Sequence, residues 1–231
     1  MAYRGLICVS VMAEDTTAIL AAVSPVVLLA DVIEIRLDGM HAPRIGDCIT
    51  ALPKPVLVTN RPAWEGGRFS GSEKERIDLL EDAMQEGAQY VDIELRTAPE
   101  LRTRIVVAAR QCGVKVIISS HDFEKTPTTD QLSSILASMI ASGADVAKIV
   151  TTAASPGDAL RVLALQQEAM AATFPLSAFA MGAAGTISRL ATLYLGGFMT
   201  YAALSKEQAT APGQITVHDL HSLLNLLEST S

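Results

Sequence analysis

The feature that most constrains this chain is a rhythm repeated eight times, in which a short β-branched apolar run is followed by a longer amphipathic one. Strand-like runs occupy residues 5–12, 32–37, 55–61, 90–95, 114–120, 146–150, 176–181 and 197–203. Apolar residues at helical spacing predict helices at about 15–23, 43–52, 72–87, 98–112, 129–142, 157–171, 186–195 and 217–228. No linker, low-complexity tract or charge block separates these units, so residues 1–231 read as a single α/β domain. Eight strand–helix pairs in this order predict a (β/α)8 TIM barrel. A doubly wound open sheet is the competing architecture. It wants a glycine-rich turn after the first strand, and Met12-Ala-Glu-Asp-Thr16 has no glycine.

The punctuation between elements agrees. Ser72 and Glu75 have the spacing of a capping box for the third helix. Gly87, Gly113 and Gly143 each follow a helical run, where a left-handed residue ends the helix.

Composition narrows the function classes. The chain is 49% hydrophobic but only 4% aromatic, so its core is built from Ala, Val, Ile and Leu, which suits parallel strands covered by helices. A net charge of −7 leaves no basic face for a nucleic acid. No Lys/Arg run addresses an anionic membrane, and no apolar run is long enough to span one. Cys8, Cys48 and Cys112 are odd in number and lack CxxC spacing, which reads as reduced, buried thiols. The apolar run Leu6–Met12 is too short for a signal peptide, and the expected location is the cytoplasm.

A strand buried on both faces should be apolar throughout, and these strands break that rule late in each run. In Val32-Ile-Glu-Ile-Arg-Leu-Asp38, Ile33, Ile35 and Leu37 share one face while Glu34 and Arg36 share the other. The same period of two groups Thr59 with Arg61, Asp92 with Glu94, and Ser119 with His121, and it sets Lys148 apart from Ala147 and Ile149. If the apolar faces meet the helices, the polar groups enter the barrel near its C-terminal mouth, where barrel active sites are built. Asp92 and Glu94 read equally well as satisfied interior ion pairs.

Lys148 has two readings: a lysine paired with Asp92 or Glu94, or a nucleophilic amine. In the second, burial with Arg36 and Arg61 nearby would favour the neutral amine that attacks a ketone. His121, at the end of the preceding strand, is a candidate general acid/base. His41 sits in a loop, and His218 and His221 read as surface positions on the last helix, so no metal site is expected. Met181-Gly-Ala-Ala-Gly-Thr-Ile-Ser-Arg189 offers either backbone amides for a phosphate or the Arg189 fork for a carboxylate. The segment at about 204–214 has the small residues, Pro and Gly of a lid.

Val9-Ser-Val-Met-Ala13, Glu34–Asp38, Thr59-Asn-Arg-Pro-Ala-Trp-Glu-Gly-Gly67, Tyr90–Glu94, Ser120–Phe123, Ala147-Lys-Ile149, Met181–Arg189 and Ala211–Gln214 occur in that order. On these segments the chain resembles the type I 3-dehydroquinate dehydratases, the Schiff-base enzymes of the shikimate pathway. The resemblance implies that Lys148 forms an imine with the C3 ketone of 3-dehydroquinate, and that His121 removes the C2 proton and helps the C1 hydroxyl leave. It implies that Glu65 orients His121, that Glu34, Arg36 and Arg61 hold the ring hydroxyls, and that Arg189 binds the carboxylate with Gln214 and Thr210. Ser10 and Met181 would line the floor and wall. It further implies a homodimer with no metal or organic cofactor. Thr210 stands where many members have serine, and the lid before it, Leu204–Gln208, looks longer than in some. The short lead into the first strand leaves open how the barrel bottom is closed.

Two other functions compete. A Schiff-base aldolase acting on a sugar phosphate would use the Gly182–Gly185 loop and tolerate loss of Arg189. A non-catalytic barrel binding a polyhydroxy acid would be expected to lack the Lys148, His121 and Glu65 set, which is present.

Overall fold

In a computed structural model, which describes residues 4–42 and 45–229, the eight expected strands form one parallel sheet in the order β7-β6-β5-β4-β3-β2-β1-β8. Chain order runs β1 (Leu6–Val11), α1 (Thr16–Val23), β2 (Val32–Arg36), α2 (Gly46–Ala51), β3 (Val56–Thr59) and α3 (Glu73–Gln85). It continues through β4 (Tyr90–Glu94), α4 (Pro99–Cys112), β5 (Lys115–His121), α5 (Thr129–Ala141) and β6 (Val146–Thr152). It ends with α6 (Pro156–Ala171), β7 (Leu176–Met181), α7 (Thr186–Tyr194), β8 (Met199–Ala203) and α8 (Val217–Glu228). The start of the helix expected at 43–52 lies partly outside the described residues.

The barrel closes at a seam between β7 and β8. Phe198 donates its backbone N–H to Leu176 O at 2.8 Å, and Met199 N–H goes to the Ser177 hydroxyl at 3.1 Å instead of a carbonyl. At the N-terminal end of the barrel, partly buried Leu6, Tyr90 and Phe198 pack against the lumen cluster, the two rings tilted with centroids 6.3 Å apart. That layer supplies the bottom closure the sequence left open.

The period-two pattern sorts the strands as expected. Ile33, Ile35, Val56, Val58, Val91, Ile93, Val116, Ile118, Ala147 and Ile149 pack outward against the helices. Cys8, Val32, Leu57, Ile117, Val146, Phe179, Met199 and Tyr201 fill the lumen. Above that layer the inward residues turn polar. The capping box of Ser72 and Glu75 forms at the start of α3, and Gly87, Gly113 and Gly143 all take positive φ.

Two surface expectations are corrected. Cys112 is exposed, because it ends α4 on a face turned from the barrel, while Cys8 and Cys48 are buried. His218 is exposed, but His221 is half-buried, its Nε2 2.8 Å from Leu29 O, because α8 packs back over the turn before β2.

Candidate active site

Lys148 occupies an inward position of β6, in register with Ser119 of β5 and Ser177 of β7, and is almost fully buried. Its Nζ lies 3.3 Å from Asp92 Oδ2 and 3.9 Å from Glu34 Oε1, with the centroid of the Tyr201 ring 3.8 Å away. Of the two expected settings, the pairing with Asp92 is the one observed: the charges touching the amine are carboxylates, not Arg36 and Arg61. Both guanidiniums are turned to acids of their own. Arg61 binds Asp92 Oδ1 at 2.8 Å, Glu94 Oε1 at 2.5 Å and the Ser119 hydroxyl at 2.8 Å. Arg36 forks onto both oxygens of Asp38 at 2.7 Å. Asp92 and Glu94 are thus the satisfied interior ion pairs that pattern alone allowed. Glu34 accepts from the Thr59 hydroxyl at 2.7 Å, which aims its carboxylate across the lumen.

His121 ends β5 at the mouth. Its Nδ1 is 3.0 Å from Glu65 Oε1, and its backbone N–H reaches the same oxygen at 3.1 Å. Glu65 rides on a single 3-10 turn, Ala63–Glu65, formed where Pro62 ends the strand geometry of β3. Gly66 follows with φ 76°, and a Cβ there would come within 2.3 Å of the Phe123 ring, so this turn takes only glycine. Phe123 stacks on His121, centroids 6.1 Å apart.

Burial, then the positive charges of Arg61, Lys148, Arg36 and Arg189, hold the His121 imidazole well below its ordinary pKa, so it is neutral at pH 7. With Nδ1–H donated to a carboxylate, Nε2 keeps a free lone pair. Burial pushes the Glu65 carboxyl up to about 7 against the opposing pull of Arg61.

Arg189 projects from the first turns of α7, and its guanidinium lies over the Phe179 ring at 4.9 Å. Among the described residues its only hydrogen bond goes to Pro212 O at 3.2 Å, its Nε has no partner, and no carboxylate pairs with it. Burial alone brings its pKa down to about 10. A buried guanidinium without an acid is a site for an anionic ligand. In the loop that competes as a phosphate cradle, the Gly185 and Thr186 amides turn back onto Gly182 O, at 3.0 and 3.1 Å.

The segment 204–214 folds over this opening. Thr210 gives its hydroxyl to Ser10 at 3.2 Å and its amide to Gln214 Oε1 at 2.8 Å. Beneath it is an open cleft lined by Glu34, Arg36, Arg61, Glu65, His121, Lys148, Met181, Arg189, Thr210 and Gln214. Every residue expected at the site lines this cleft except Ser10, which meets it through Thr210.

Three residues escaped the sequence reading. Tyr201 faces the lysine from β8, and its inward place was readable from Met199-Thr-Tyr. Asp38 accepts from Arg36 and from the amides of Arg61 and Arg68, and its carboxyl is held below the usual range chiefly by Arg36 against its burial. Arg76 is buried on α3, where an arginine among Ile77, Leu80 and Ala83 was the only signal.

A (β/α)8 barrel that gathers these groups at its C-terminal mouth stands among the barrel enzymes. Residues 7–231 match the family described as type I 3-dehydroquinase. A 3-dehydroquinate dehydratase from Desulfotalea psychrophila is 42% identical over 194 residues, covering 84% of this chain and 86% of that one. Among solved structures, the type I 3-dehydroquinate dehydratase of Clostridium difficile with covalently modified comenic acid superposes with a TM-score of 0.88 at 30% identity, covering 99% of this chain and 94% of that one. The 3-dehydroquinate dehydratase of Geobacillus kaustophilus gives the same TM-score and identity over 98% and 92%. The chain belongs to the type I 3-dehydroquinase family, and it is accordingly a carbon–oxygen lyase of the shikimate pathway.

Proposed function

We propose that this chain converts 3-dehydroquinate to 3-dehydroshikimate by syn dehydration through an imine on Lys148. The neutral amine attacks the C3 ketone and water leaves, giving an iminium that acidifies the C2 hydrogen. His121 Nε2 takes that proton, and the electron pair expels the C1 hydroxyl, which leaves as water with the proton His121 returns. Hydrolysis of the conjugated iminium frees the product and the lysine. Glu65 holds the ring of His121 and stabilises its protonated form.

The observation that carries this reading is Arg189, paired with no acid among the described residues, on the same cleft as Lys148 and His121. A substrate carboxylate anchored on it, with Gln214 and Thr210 alongside, would present the ring to the amine. Glu34, Arg36 and Arg61 would meet the ring hydroxyls, with Ser10 and Met181 shaping the floor and wall. The sequence resemblance supports the further proposal of a single-domain homodimer working in the cytoplasm, with 204–214 as its lid and no metal or organic cofactor.

The test is to incubate the protein with 3-dehydroquinate and borohydride and map the reduced adduct by mass spectrometry, while following the ultraviolet absorbance of the enone product. An adduct on Lys148 and rising absorbance are expected. Folded protein that gives neither overturns the reading, and light scattering of the purified chain tests the dimer.

A further inference from the structure

One arginine outside the barrel touches both arms of this arrangement. Arg76 lies on the inward stripe of α3, with none of its side chain exposed. Its Nη1 donates to Glu94 Oε2 at 2.5 Å, and its Nη2 donates to Thr97 Oγ1 and Glu73 Oε2, both at 2.8 Å. Its Nε completes the set on Glu73 Oε1 at 3.0 Å.

From Glu94 the ionic contacts run unbroken into the lumen: Glu94 to Arg61, Arg61 to Asp92, and Asp92 to Lys148. The sign of the charge alternates at each step. From Glu73 a second arm leads to the mouth. Glu73 Oε1 accepts from Trp64 Nε1 at 3.4 Å, the Trp64 ring lies 5.8 Å from the Arg76 guanidinium, and Trp64 immediately precedes Glu65. Burying a guanidinium is costly, and a methionine would fill the same stripe of α3 at lower cost. The placement makes sense if the fork fixes two carboxylates in one geometry, which a point charge cannot do.

We propose that Arg76 is a positioning residue for the dehydration, fixing Lys148 through Glu94, Arg61 and Asp92, and the Glu65 turn through Glu73 and Trp64. The proposal rests on the reading in which Lys148 forms the imine. A displacement of about 1 Å relayed from outside a site costs on the order of 10²-fold in rate.

The experiment compares full-length Arg76→Met, Arg76→Lys and the double variant Arg76→Met/Glu94→Gln, with Lys74→Ala on the exposed face of α3 as control. The measurements are kcat, KM, the pH dependence of kcat/KM, and the rate of borohydride trapping on Lys148. Arg76→Met is expected to lose about 10²-fold in kcat with KM within about threefold, to trap more slowly and to shift its pH profile. Arg76→Lys should recover only part, since it keeps the charge without the fork. The double variant, relieved of the Glu94 carboxylate oxygen that loss of Arg76 leaves without a partner, should regain thermal stability but not the trapping rate, and Lys74→Ala should match wild type. Wild-type kcat and pH profile in folded Arg76→Met overturn the proposal. So does a double variant that regains rate together with stability, because Arg76 then only balances a buried charge. If Arg76→Met does not fold, the lysine and double variants decide it by the same criteria. Absence of an adduct in the wild-type protein would instead defeat the underlying imine reading.

Discussion

Glu65 Oε1 holds His121 twice, by Nδ1 at 3.0 Å and by the backbone N–H at 3.1 Å, while Glu65 Oε2 is buried with no hydrogen-bond partner among the described residues. One oxygen therefore sets the ring's orientation, and the other makes the carboxylate charge expensive to bury. That cost is what lifts Glu65 to about 7.

The first consequence concerns rate against pH. As pH rises through about 7, Glu65 ionises and comes to favour the imidazolium formed when His121 takes a proton. We expect kcat/KM to climb through that pH, and Glu65→Gln, which cannot ionise, to flatten the limb and lower the plateau by about 10²-fold. A pH–rate profile of Glu65→Gln that superimposes on wild type would sink this account.

Stability should move the other way. The folded pKa of Glu65 is raised from 4.5 to about 7, so its contribution is fully present below about 4.5 and is lost as pH climbs through 7. At about 1.36 kcal/mol per unit, the loss is on the order of 3 kcal/mol. Glu65→Gln should therefore melt higher than wild type above pH 7 and show no such advantage at pH 4.5. Melting curves at the two pH values check it.

Arg189→Met removes a buried charge that no acid among the described residues pairs. The apo variant should be as stable as wild type or more so, by about 1–4 kcal/mol. KM for 3-dehydroquinate should rise by roughly 10²-fold or more, because a charge-assisted fork to a carboxylate is gone. Retained affinity for the substrate would instead favour an anion site elsewhere, as an aldolase reading requires.

Asp38→Asn should loosen the mouth. The carboxylate accepts from Arg36 Nε and Nη2 and from the amides of Arg61 and Arg68. An amide can accept from only some of these and turns an NH2 toward the rest. We expect a loss of about 2–4 kcal/mol and a higher KM, since Arg36 is no longer held beside the cleft. Unchanged denaturant midpoint and KM would refute it.

Much of this site was legible before folding was considered. Period two put Glu34, Arg61, Asp92, His121 and Lys148 on inward faces, and each does face the lumen or its mouth. The sign of the field at Lys148 was left open between a pairing with Asp92 or Glu94 and a setting beside Arg36 and Arg61. The pairing with Asp92 is observed, because each arginine is captured by a nearer acid, Asp38 for one and Asp92 with Glu94 for the other. The exposure of Cys112 and the half-burial of His221 were missed because both depend on how a helix end packs.

What the sequence determined by itself is local or periodic: eight strand–helix pairs, the inward faces, the capping box, the glycine stops, and a lysine and histidine on adjacent strands. These follow from backbone sterics and the alternation of side chains, which act within a few residues. Only the tertiary structure decided the pairings. Lys148 meets Asp92 from 56 residues away, Arg76 reaches Glu94 from outside the barrel, and Arg189 meets no acid among the described residues. Such contacts depend on strand order and on how the barrel closes at its β7–β8 seam, and no local pattern carries that information.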